Sequence, residues 1–234
     1  PCRKEATNNG LQPKNLPRWN NRTWGGTAVT LRQVERFYTQ NGLPIDEDPT
    51  YPYTNRYGVT AFEAGTQDTI YGEGETIVLN TKREPRFYAW VCFHHGYYEA
   101  MGEDKNEPTS AYYPLFKRGK LDAKILMEFM FNQNGGKTER GTGCFTGFLA
   151  KKGVHPGSTI TSTANNLIQY PWPIIRLGEL YLNYAEACIE SGDLDTGIEY
   201  LDKIRERAGI PGVKEAWEGI ATLDQNKLRE IVHR

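Results

Sequence analysis

The last third of the chain has the clearest pattern of apolar and polar positions. Apolar residues recur there at steps of three or four in a first run, which consists of Ile174, Leu177, Tyr181, Tyr184 and Cys188. A second run has the same spacing and consists of Leu194, Ile198, Leu201, Ile204 and Ala208. This spacing is typical of amphipathic α-helices. The pattern therefore predicts two helices separated by a short turn, which together form a helical hairpin.

Turn-forming and capping residues mark the ends of these predicted helices. Pro173 stands where the first helix is expected to begin, and Gly192 stops it. Gly209 ends the second helix. Thr222 and Gln225 form a capping box for a third helix, which reaches the last residue without a stop signal. We therefore expect the third helix to continue in a longer parent chain.

The region between residues 30 and 80 is punctuated differently. Thr30 and Gln33 form a capping box and Gly42 follows as a stop signal, so a short helix is predicted between them. Residues 43–80 are rich in proline, aspartate, glycine and tyrosine, which favour turns. They predict a long irregular connection over the surface, and loops of this length are usually functional.

Three segments of the middle region have the composition of β-strands. Residues 86–93 are rich in β-branched and aromatic residues. Residues 124–131 alternate, and one face of the predicted strand consists of Ile125, Met127, Phe129 and Phe131. Residues 144–149 follow a glycine pair, so we expect them to pair back on residues 124–131 as a hairpin.

Composition and charge narrow the function classes. The 28 basic and 29 acidic residues nearly cancel, so no global positive field is present for nucleic acid or an anionic membrane. The basic residues of the irregular opening segment, residues 1–26, are scattered charges of a solvated loop, because no nucleic-acid module follows them. A mean hydropathy of −0.65 argues against a transmembrane chain. The 14 tyrosines and 5 tryptophans are unusual, and aromatic-rich loops are typical of binding surfaces.

No metal or cofactor site is predicted. The four cysteines form no C-x-x-C pair, and Cys92 and Cys188 fall in apolar segments, where we expect buried thiols. His94 and His95 lie beside Cys92, but successive strand residues point to opposite faces and do not share an ion. Dinucleotide fingerprints, phosphate-binding loops and nucleophile elbows do not occur in the sequence.

Hydrolysis of a glycosidic bond needs two carboxylates that face each other across a cleft. The clustered carboxylates of this chain have the placement of solvated charges instead, in a loop and on a helix: Asp46, Glu47, Asp48, Glu179, Glu186 and Glu190. We therefore predict a protein that is not an enzyme. A glycosidase remains as an alternative, ranked after the two binding functions given below.

The predicted hairpin has the shape of a tetratricopeptide unit, in which small residues such as Gly178 let two helices approach. One such unit does not bury its faces alone, and at least three stacked repeats are normally needed. A second copy does not occur in the sequence, so the neighbouring repeats are expected in another segment of the parent chain or in a partner. An ordinary helical hairpin that packs on the middle region is the alternative.

Four segments match, in order, the motifs of a known family. Residues 173–187 (PIIRLGELYLNYAEA) and 201–211 (LDKIRERAGIP) form the first pair. Residues 38–46 (YTQNGLPID) and 83–89 (REPRFYA) agree as well, although Glu84 replaces the usual aspartate of an Arg-Asp-Pro-Arg-Phe-Tyr motif. Over residues 24–234 the chain thus resembles the C-terminal part of the SusD/RagB family of nutrient-binding outer-membrane lipoproteins.

This resemblance implies a fold, a location and partners. Family members contain a superhelix of tetratricopeptide repeats and begin with a lipidated cysteine that anchors them, surface-exposed, at the cell outer membrane. They hold nutrients without catalysis and pass them to a TonB-dependent, SusC-like transporter. Neither the N-terminal helical repeats nor the lipid anchor is present in this chain, so anchoring is implied only for the parent protein.

Sugar binding gives the aromatic loops a physical purpose. The C–H faces of pyranose rings pack on aromatic planes, while their hydroxyls are met by polar side chains at the edges. Five aromatic residues are therefore candidates for glycan binding: Trp19, Trp24, Trp90, Tyr97 and Tyr98. Core packing is the alternative for each of them, above all for Trp90, which lies inside an apolar run.

Together these features predict a mainly α chain with long irregular loops, a few short strands and a tetratricopeptide-like hairpin, as in a fragment of the SusD-like α/α superhelix. Residues 1–172 are expected to form a loop-rich ligand-binding region, and residues 173–234 the helical region. The predicted function is capture of oligosaccharide and its delivery to a TonB-dependent outer-membrane transporter. A tetratricopeptide scaffold that binds peptide or protein is the alternative.

Overall fold

The structure is a computed structural model, which describes residues 2–3, 12–17, 23–99, 101–102, 124–131, 135–137, 141, 143–155, 158–160, 165–168 and 172–234. The helices are α1 (Gln12–Asn15), α2 (Leu31–Glu35), α3 (Pro85–Trp90), α4 (Leu177–Ser191), α5 (Leu194–Ala208), α6 (Val213–Ala216) and α7 (Gln225–Val232). Short 3₁₀ helices lie at Tyr53–Asn55, Gln67–Ile70 and Val78–Asn80. The helices are the longest elements, which confirms the predicted mainly α class.

The strands are short and separated by irregular segments. They are β1 (Cys2–Arg3), β2 (Val59–Ala61), β3 (Glu75–Ile77), β4 (Val91–Cys92), β5 (Tyr97–Glu99), β6 (Met101–Gly102), β7 (Lys124–Leu126), β8 (Leu149–Ala150), β9 (Thr159–Ile160), β10 (Asn165–Asn166) and β11 (Trp172–Pro173). β2 and β3 pair in antiparallel fashion, with Val59 opposite Ile77. β9 is the centre of a three-stranded sheet, between β10 and β6.

The predicted pairing of residues 124–131 with residues 144–149 is wrong. β7 pairs with β5, and β8 pairs with β4, both in antiparallel fashion. Strand composition predicts that a segment is extended, but it does not choose the partner, which long-range packing decides.

The two longest helices form the predicted hairpin. α4 ends at Gly192, whose left-handed backbone (φ 89°) favours glycine. Asp193 then caps α5, because its side chain accepts a hydrogen bond from the Thr196 N–H at 3.3 Å. α5 ends at Gly209, which is also left-handed (φ 73°). Both stop signals therefore act where the sequence predicts them.

Two predicted helix starts are wrong. Pro173 does not begin α4 but belongs to β11, which pairs with β1, because proline also fits an extended segment. α7 begins after Asp224, whose Oδ1 accepts the Lys227 N–H at 2.8 Å. The capping box at Thr222 is therefore not used, since this aspartate lies nearer the helix and caps it.

One apolar core joins the helices of the helical region, by which we mean residues 177–234. Leu201 of α5 and Trp217 are buried in this core. We call the described residues before β11 the loop region, and Leu43 of that region also packs in this core. Trp217 also donates its indole N–H to Glu47 at 3.1 Å. The division of the chain after residue 172 stays a prediction.

The short helix α2 begins as predicted and is shorter than predicted. Thr30 Oγ1 accepts the Gln33 N–H at 3.3 Å, as a capping residue does. The helix ends after five residues. The buried guanidinium of Arg83 donates hydrogen bonds to the carbonyl oxygens of Val34 and Phe37. These oxygens therefore have partners without a further helical turn.

The strand predicted at residues 86–93 is wrong for most of its length. Residues Pro85–Trp90 form α3, and only Val91–Cys92 are extended. Pro85 stands at the first helical position, where its fixed φ favours a helix. Phe87 is buried in the core of the loop region. Tertiary packing therefore outweighs the β propensity of this aromatic segment.

Aromatic rings form much of the loop-region core. Phe87 meets Phe37 edge-on with ring centroids 5.6 Å apart and stacks on Phe93 at 5.3 Å. Cys92 and Cys188 are buried, as predicted. Within the part of the chain that the structure describes, each helix is too short or too polar to cross a bilayer.

Candidate functional site

Arg83 holds the loop region together from inside. It is 2% exposed and donates hydrogen bonds to the carbonyl oxygens of Val34 (2.8 Å), Phe37 (2.7 Å) and Leu79 (2.7 Å). Burial lowers the pKa of this guanidinium below its ordinary value. These bonds fix the 3₁₀ helix Val78–Asn80 relative to α2, and that 3₁₀ helix borders the site described next.

An open cleft of about 360 Å³ lies beside this 3₁₀ helix. Its walls are largely apolar and consist of Val59, Ile77, Phe129, Met130 and Phe148. Val59 is 69% exposed and Met130 is 63% exposed, although both side chains are apolar. Exposed apolar groups that line a concave surface are typical of ligand-binding sites.

A chain of hydrogen bonds runs along one wall of the cleft. The Thr76 hydroxyl donates to the carbonyl oxygen of His94 at 2.9 Å, so its oxygen is left to accept the Asn80 side-chain amide at 3.0 Å. Asn80 is 2% exposed, and its Oδ1 has no hydrogen-bond partner among the described residues. A buried oxygen without a partner is uncommon and costs about 1–3 kcal/mol.

His94 connects the cleft to the segment that contains Phe129. Its Nδ1 accepts the Phe129 backbone N–H at 3.0 Å, so that nitrogen carries no proton. Burial lowers the pKa of His94 and the neighbouring His95 lowers it further, whereas Glu128 and Glu75 raise it. The net shift is downward, so the imidazole is neutral at pH 7.

The two adjacent histidines do not point to opposite faces of a strand, and that prediction is wrong. Their ring centroids are 4.1 Å apart and the rings stack. His95 has a left-handed backbone (φ 62°) and lies outside the strands. In the described ranges, His, Cys, Asp and Glu side chains form no group of three or more that could hold a metal ion.

Three of the carboxylates considered for hydrolysis serve structural contacts. Glu190 of α4 forms an ion pair with Arg229 of α7. Glu47 pairs with Lys227 at 2.7 Å and so ties the loop region to the helical region. Asp48 is 5% exposed and accepts hydrogen bonds from neighbouring side chains. These carboxylates stabilise helix and loop packing, and they do not line the cleft.

The tryptophans predicted to bind glycan lie in different surroundings. Trp24 is 49% exposed. Trp90 is half-buried against the loop-region core, and Lys152 Nζ lies 4.0 Å from the centroid of its ring. Trp19 lies outside the described residues. Of the two candidate tryptophans that the structure describes, Trp24 is the more exposed and therefore the more accessible to a ligand.

The two candidate tyrosines differ as well. Tyr97 is half-buried and donates its hydroxyl to Glu73 at 2.7 Å; burial and this hydrogen bond raise the pKa of Tyr97 to about 12. Tyr98 is 2% exposed and packs in a small core cluster with Leu16 and Met127. Tyr97 is therefore reachable from solvent, whereas Tyr98 supports the interior.

Trp24 is connected to the cleft by two paired segments. The Gly143 N–H donates to the Trp24 carbonyl oxygen at 3.1 Å, and the Val29 N–H donates to the Phe148 carbonyl oxygen at 2.8 Å. Both bonds join the segment of Trp24 to the segment of Phe148, which lines the cleft. Five residues of extended chain span at most about 18 Å, which limits the distance between Trp24 and Val29.

Sequence reasoning did not predict any residue of the cleft as a binding residue. Val59, Asn80 and Phe148 come from segments far apart in the chain and meet only through tertiary packing. One local signal was present, because the alternation of residues 124–131 placed Phe129 on an apolar face. That pattern indicates a buried face, but it does not distinguish a core from a cleft wall.

Comparison with known proteins supports the resemblance seen in the sequence. The model of the SusD family matches residues 3–234. The solved structure of BT4246, determined with selenomethionine, has a TM-score of 0.71 and 25% identity, over 94% of this chain and 35% of that chain. A SusD-like protein (BF3747) from Bacteroides fragilis NCTC 9343 has a TM-score of 0.58 and 22% identity, over 92% of this chain and 34% of that chain. No curated protein matches the chain.

The chain thus spans about a third of the length of these two solved chains. The family match covers nearly all of the chain, including both the loop region and the helical region. It confirms the family inferred from the four sequence segments. The chain belongs to the SusD family.

Proposed function

We propose that this chain is the part of a non-catalytic nutrient-uptake protein that binds an oligosaccharide. SusD-like proteins generally bind glycans for uptake, and the chain belongs to that family. The observation that carries the proposal is the cleft, which combines apolar walls with a few polar groups. Apolar walls suit the C–H faces of sugar rings, and the polar groups suit their hydroxyls.

In this proposal the glycan lies along the cleft and extends toward Trp24. The ring of Trp24 stacks on one sugar unit, because it is exposed and near the cleft. Trp19, Trp90 and Tyr97 are further contact candidates, and Tyr98 acts from the core by supporting the surrounding loops. The captured glycan then passes to a TonB-dependent, SusC-like transporter, while a lipid anchor holds the parent protein at the outer membrane.

An exposed apolar face supports the proposal that further helical repeats of the parent chain pack on α4. Its residues are between 50% and 61% exposed: Ile174, Leu177, Leu180 and Tyr184. An apolar surface of this kind marks an interface. Tetratricopeptide units stack in this way, each covering the face of the next.

The same face favours the alternative function, a scaffold that binds peptide or protein. In that case the ligand would contact Tyr184, which is 50% exposed near the middle of α4. The two functions therefore differ in which region of the molecule holds the ligand.

Glycan-array binding of the full-length protein, with a reducing-end assay on each hit, tests the proposal. We expect binding without cleavage, and Trp24→Ala should weaken it about ten-fold, or about 1.4 kcal/mol. Ile220→Ala is the matched control, because Ile220 is 40% exposed but lies in the helical region; its affinity should stay within about two-fold of wild type. Cleavage of the bound glycan, or binding to no glycan, would contradict the proposal.

A further inference from the structure

We infer that the cleft selects uncharged over acidic sugar units, and that Asn80 accepts a hydrogen bond from a hydroxyl or amide donor on that unit. This inference rests on the proposed function and adds the chemical class of the ligand. It follows from three features of the cleft: its charge, its walls and the unused oxygen of Asn80.

The described residues that line the cleft carry a net negative charge. Among the described residues that line it, Glu75 is the one carboxylate, and lysine and arginine do not occur. Glu75 is exposed, and Glu128 is close enough to act electrostatically on the same histidine, His94. A carboxylate or sulfate on the ligand would be repelled by Glu75 and would lose hydration without gaining a cationic partner among the described residues that line the cleft. An uncharged sugar is not repelled by the carboxylate and has no charged group to strip of water.

The walls of the cleft favour ligands with apolar faces. Phe129 and Phe148 supply aromatic surface, and Val59 and Met130 are exposed apolar groups. Contact with an uncharged sugar removes this apolar surface from water, which favours binding. An acidic substituent on the same unit would have to lie against hydrocarbon, where charge is strongly disfavoured.

Asn80 lines the cleft, and its buried Oδ1 receives the ligand's donor once a neighbouring side chain shifts to admit it. Its amide group must face Thr76, because the Thr76 hydroxyl is already committed as a donor to the His94 carbonyl oxygen. The orientation of the Asn80 side chain is therefore fixed, with its Oδ1 as an acceptor that lacks a donor among the described residues. A sugar hydroxyl or an acetamido N–H is such a donor, whereas an ionised carboxylate or a sulfate ester only accepts.

The direct test is a glycan array that carries each backbone in uncharged form and in carboxylated or sulfated form, applied to the full-length protein. We expect the uncharged form to bind at least ten-fold more tightly than its acidic counterpart. Equal or tighter binding of the acidic forms would overturn the inference while leaving glycan capture intact. Binding to none of the glycans would instead overturn the proposed function, and the inference with it.

Two charge-reversal variants distinguish the effect of charge at the cleft from the effect of the protein's net charge on glycan preference. Glu75→Lys should reduce the preference for uncharged glycans at least five-fold, because it places a cation at the cleft. Glu63→Lys changes the net charge by the same amount at an exposed carboxylate that does not line the cleft, and should change the preference less than two-fold. Equal effects of the two variants would overturn the inference.

A third variant tests the acceptor. Asn80→Leu keeps a similar side-chain volume and removes the Oδ1 acceptor, so affinity for uncharged glycans should fall at least ten-fold. Unchanged affinity in a folded Asn80→Leu protein would overturn the role of Asn80. If this variant does not fold, the Glu75→Lys comparison still decides the preference for uncharged sugars, since Glu75 is exposed and its replacement leaves the buried network intact. Deoxygenated glycans on the same array then test the acceptor, because they lack the hydroxyl that would donate to Asn80, and unchanged affinity for all of them would overturn its role.

Discussion

The helical region and the loop region satisfy their buried polar groups in different ways. In the helical region, α4 and α5 bond their own backbone, and apolar residues such as Ile189 (0% exposed) and Leu201 (4% exposed) hold the helices together. In the loop region the elements are short, and buried side chains supply the missing partners. Arg83 donates hydrogen bonds to backbone carbonyl groups. Asp48 accepts hydrogen bonds from hydroxyl, side-chain amide and backbone N–H groups.

This difference makes the two regions suitable for the separate tasks that we propose. A helix pair presents a regular surface, which suits stacking against another helix pair. Loops held from inside by a few polar side chains form an irregular concave surface, which suits a small ligand. The exposed apolar face of α4 and the mixed lining of the cleft correspond to these two tasks.

The largest expected effect comes from removing the buried charge of the loop region. Arg83→Met removes the guanidinium donor from the carbonyl oxygens of Val34, Phe37 and Leu79, so the free energy of unfolding should fall by about 4 kcal/mol or more. Urea unfolding measures this change. Arg32→Met, at an exposed position on α2, is the control and should cost less than about 0.5 kcal/mol. Similar values for the two variants would contradict the role of Arg83.

The helical region should be sensitive to lost packing instead. Ile189→Ala removes a fully buried side chain and should cost about 3 kcal/mol in urea unfolding of this chain. Leu177→Ala, at a residue 61% exposed, should be near neutral in the same chain. In the longer parent protein its cost should rise to about 2 kcal/mol, because further repeats would bury Leu177. A neutral Leu177→Ala in both proteins would argue against repeats on α4.

The pH dependence of stability should distinguish the regions more weakly. Burial alone would raise the pKa of Asp48, but hydrogen bonds from Thr39, Thr50 and Asn41 outweigh it and lower the pKa below its usual range. Asp48 therefore stabilises the fold above the ordinary aspartate pKa, and this contribution is lost as the pH falls through the lowered value.

Asp48→Asn should accordingly cost about 2 kcal/mol at pH 7, because an amide group replaces a needed acceptor. The difference from wild type should shrink between about pH 5 and pH 2, as measured by urea unfolding at each pH. Glu218→Gln, at an exposed carboxylate of the helical region, is the control. A difference that stays constant with pH would refute this assignment.

The smallest effect concerns the start of α7. Asp224→Ala removes the side chain that caps the Lys227 N–H and should cost about 1 kcal/mol. Thr222→Ala, at the start of the box expected from the sequence, should cost less than about 0.5 kcal/mol. Thermal unfolding compares the stability losses of the two variants. A larger loss for Thr222→Ala would show that Thr222, as the sequence predicts, caps the helix.

The helical region could be predicted from sequence because its signals are local. The apolar period and the glycines at 192 and 209 are each read within a few residues, and both helix ends are confirmed. The start of α4 was predicted too early, since Pro173 is compatible with a helix start and with a strand, and only the pairing of β11 with β1 decides between them.

The loop region resisted prediction because its signals are long-range. Phe87 and its neighbours have β propensity but form α3, since their burial against Phe37 and Phe93 outweighs that preference. The cleft unites Val59 with Asn80 and Phe148, and no local pattern brings those positions together. Motif resemblance found the family correctly, but it does not say which residues face a ligand.

The central claim, that the loop region rather than the helical region holds the glycan, is tested most directly by hydrogen–deuterium exchange of the full-length protein with and without bound oligosaccharide. We expect slower exchange on binding for the backbone at residues 75–77, 80, 129–130 and 146–148, which line the cleft, and unchanged exchange across α4. Protection confined to α4, with none at the cleft, would contradict it and favour a scaffold that binds its ligand on the helices.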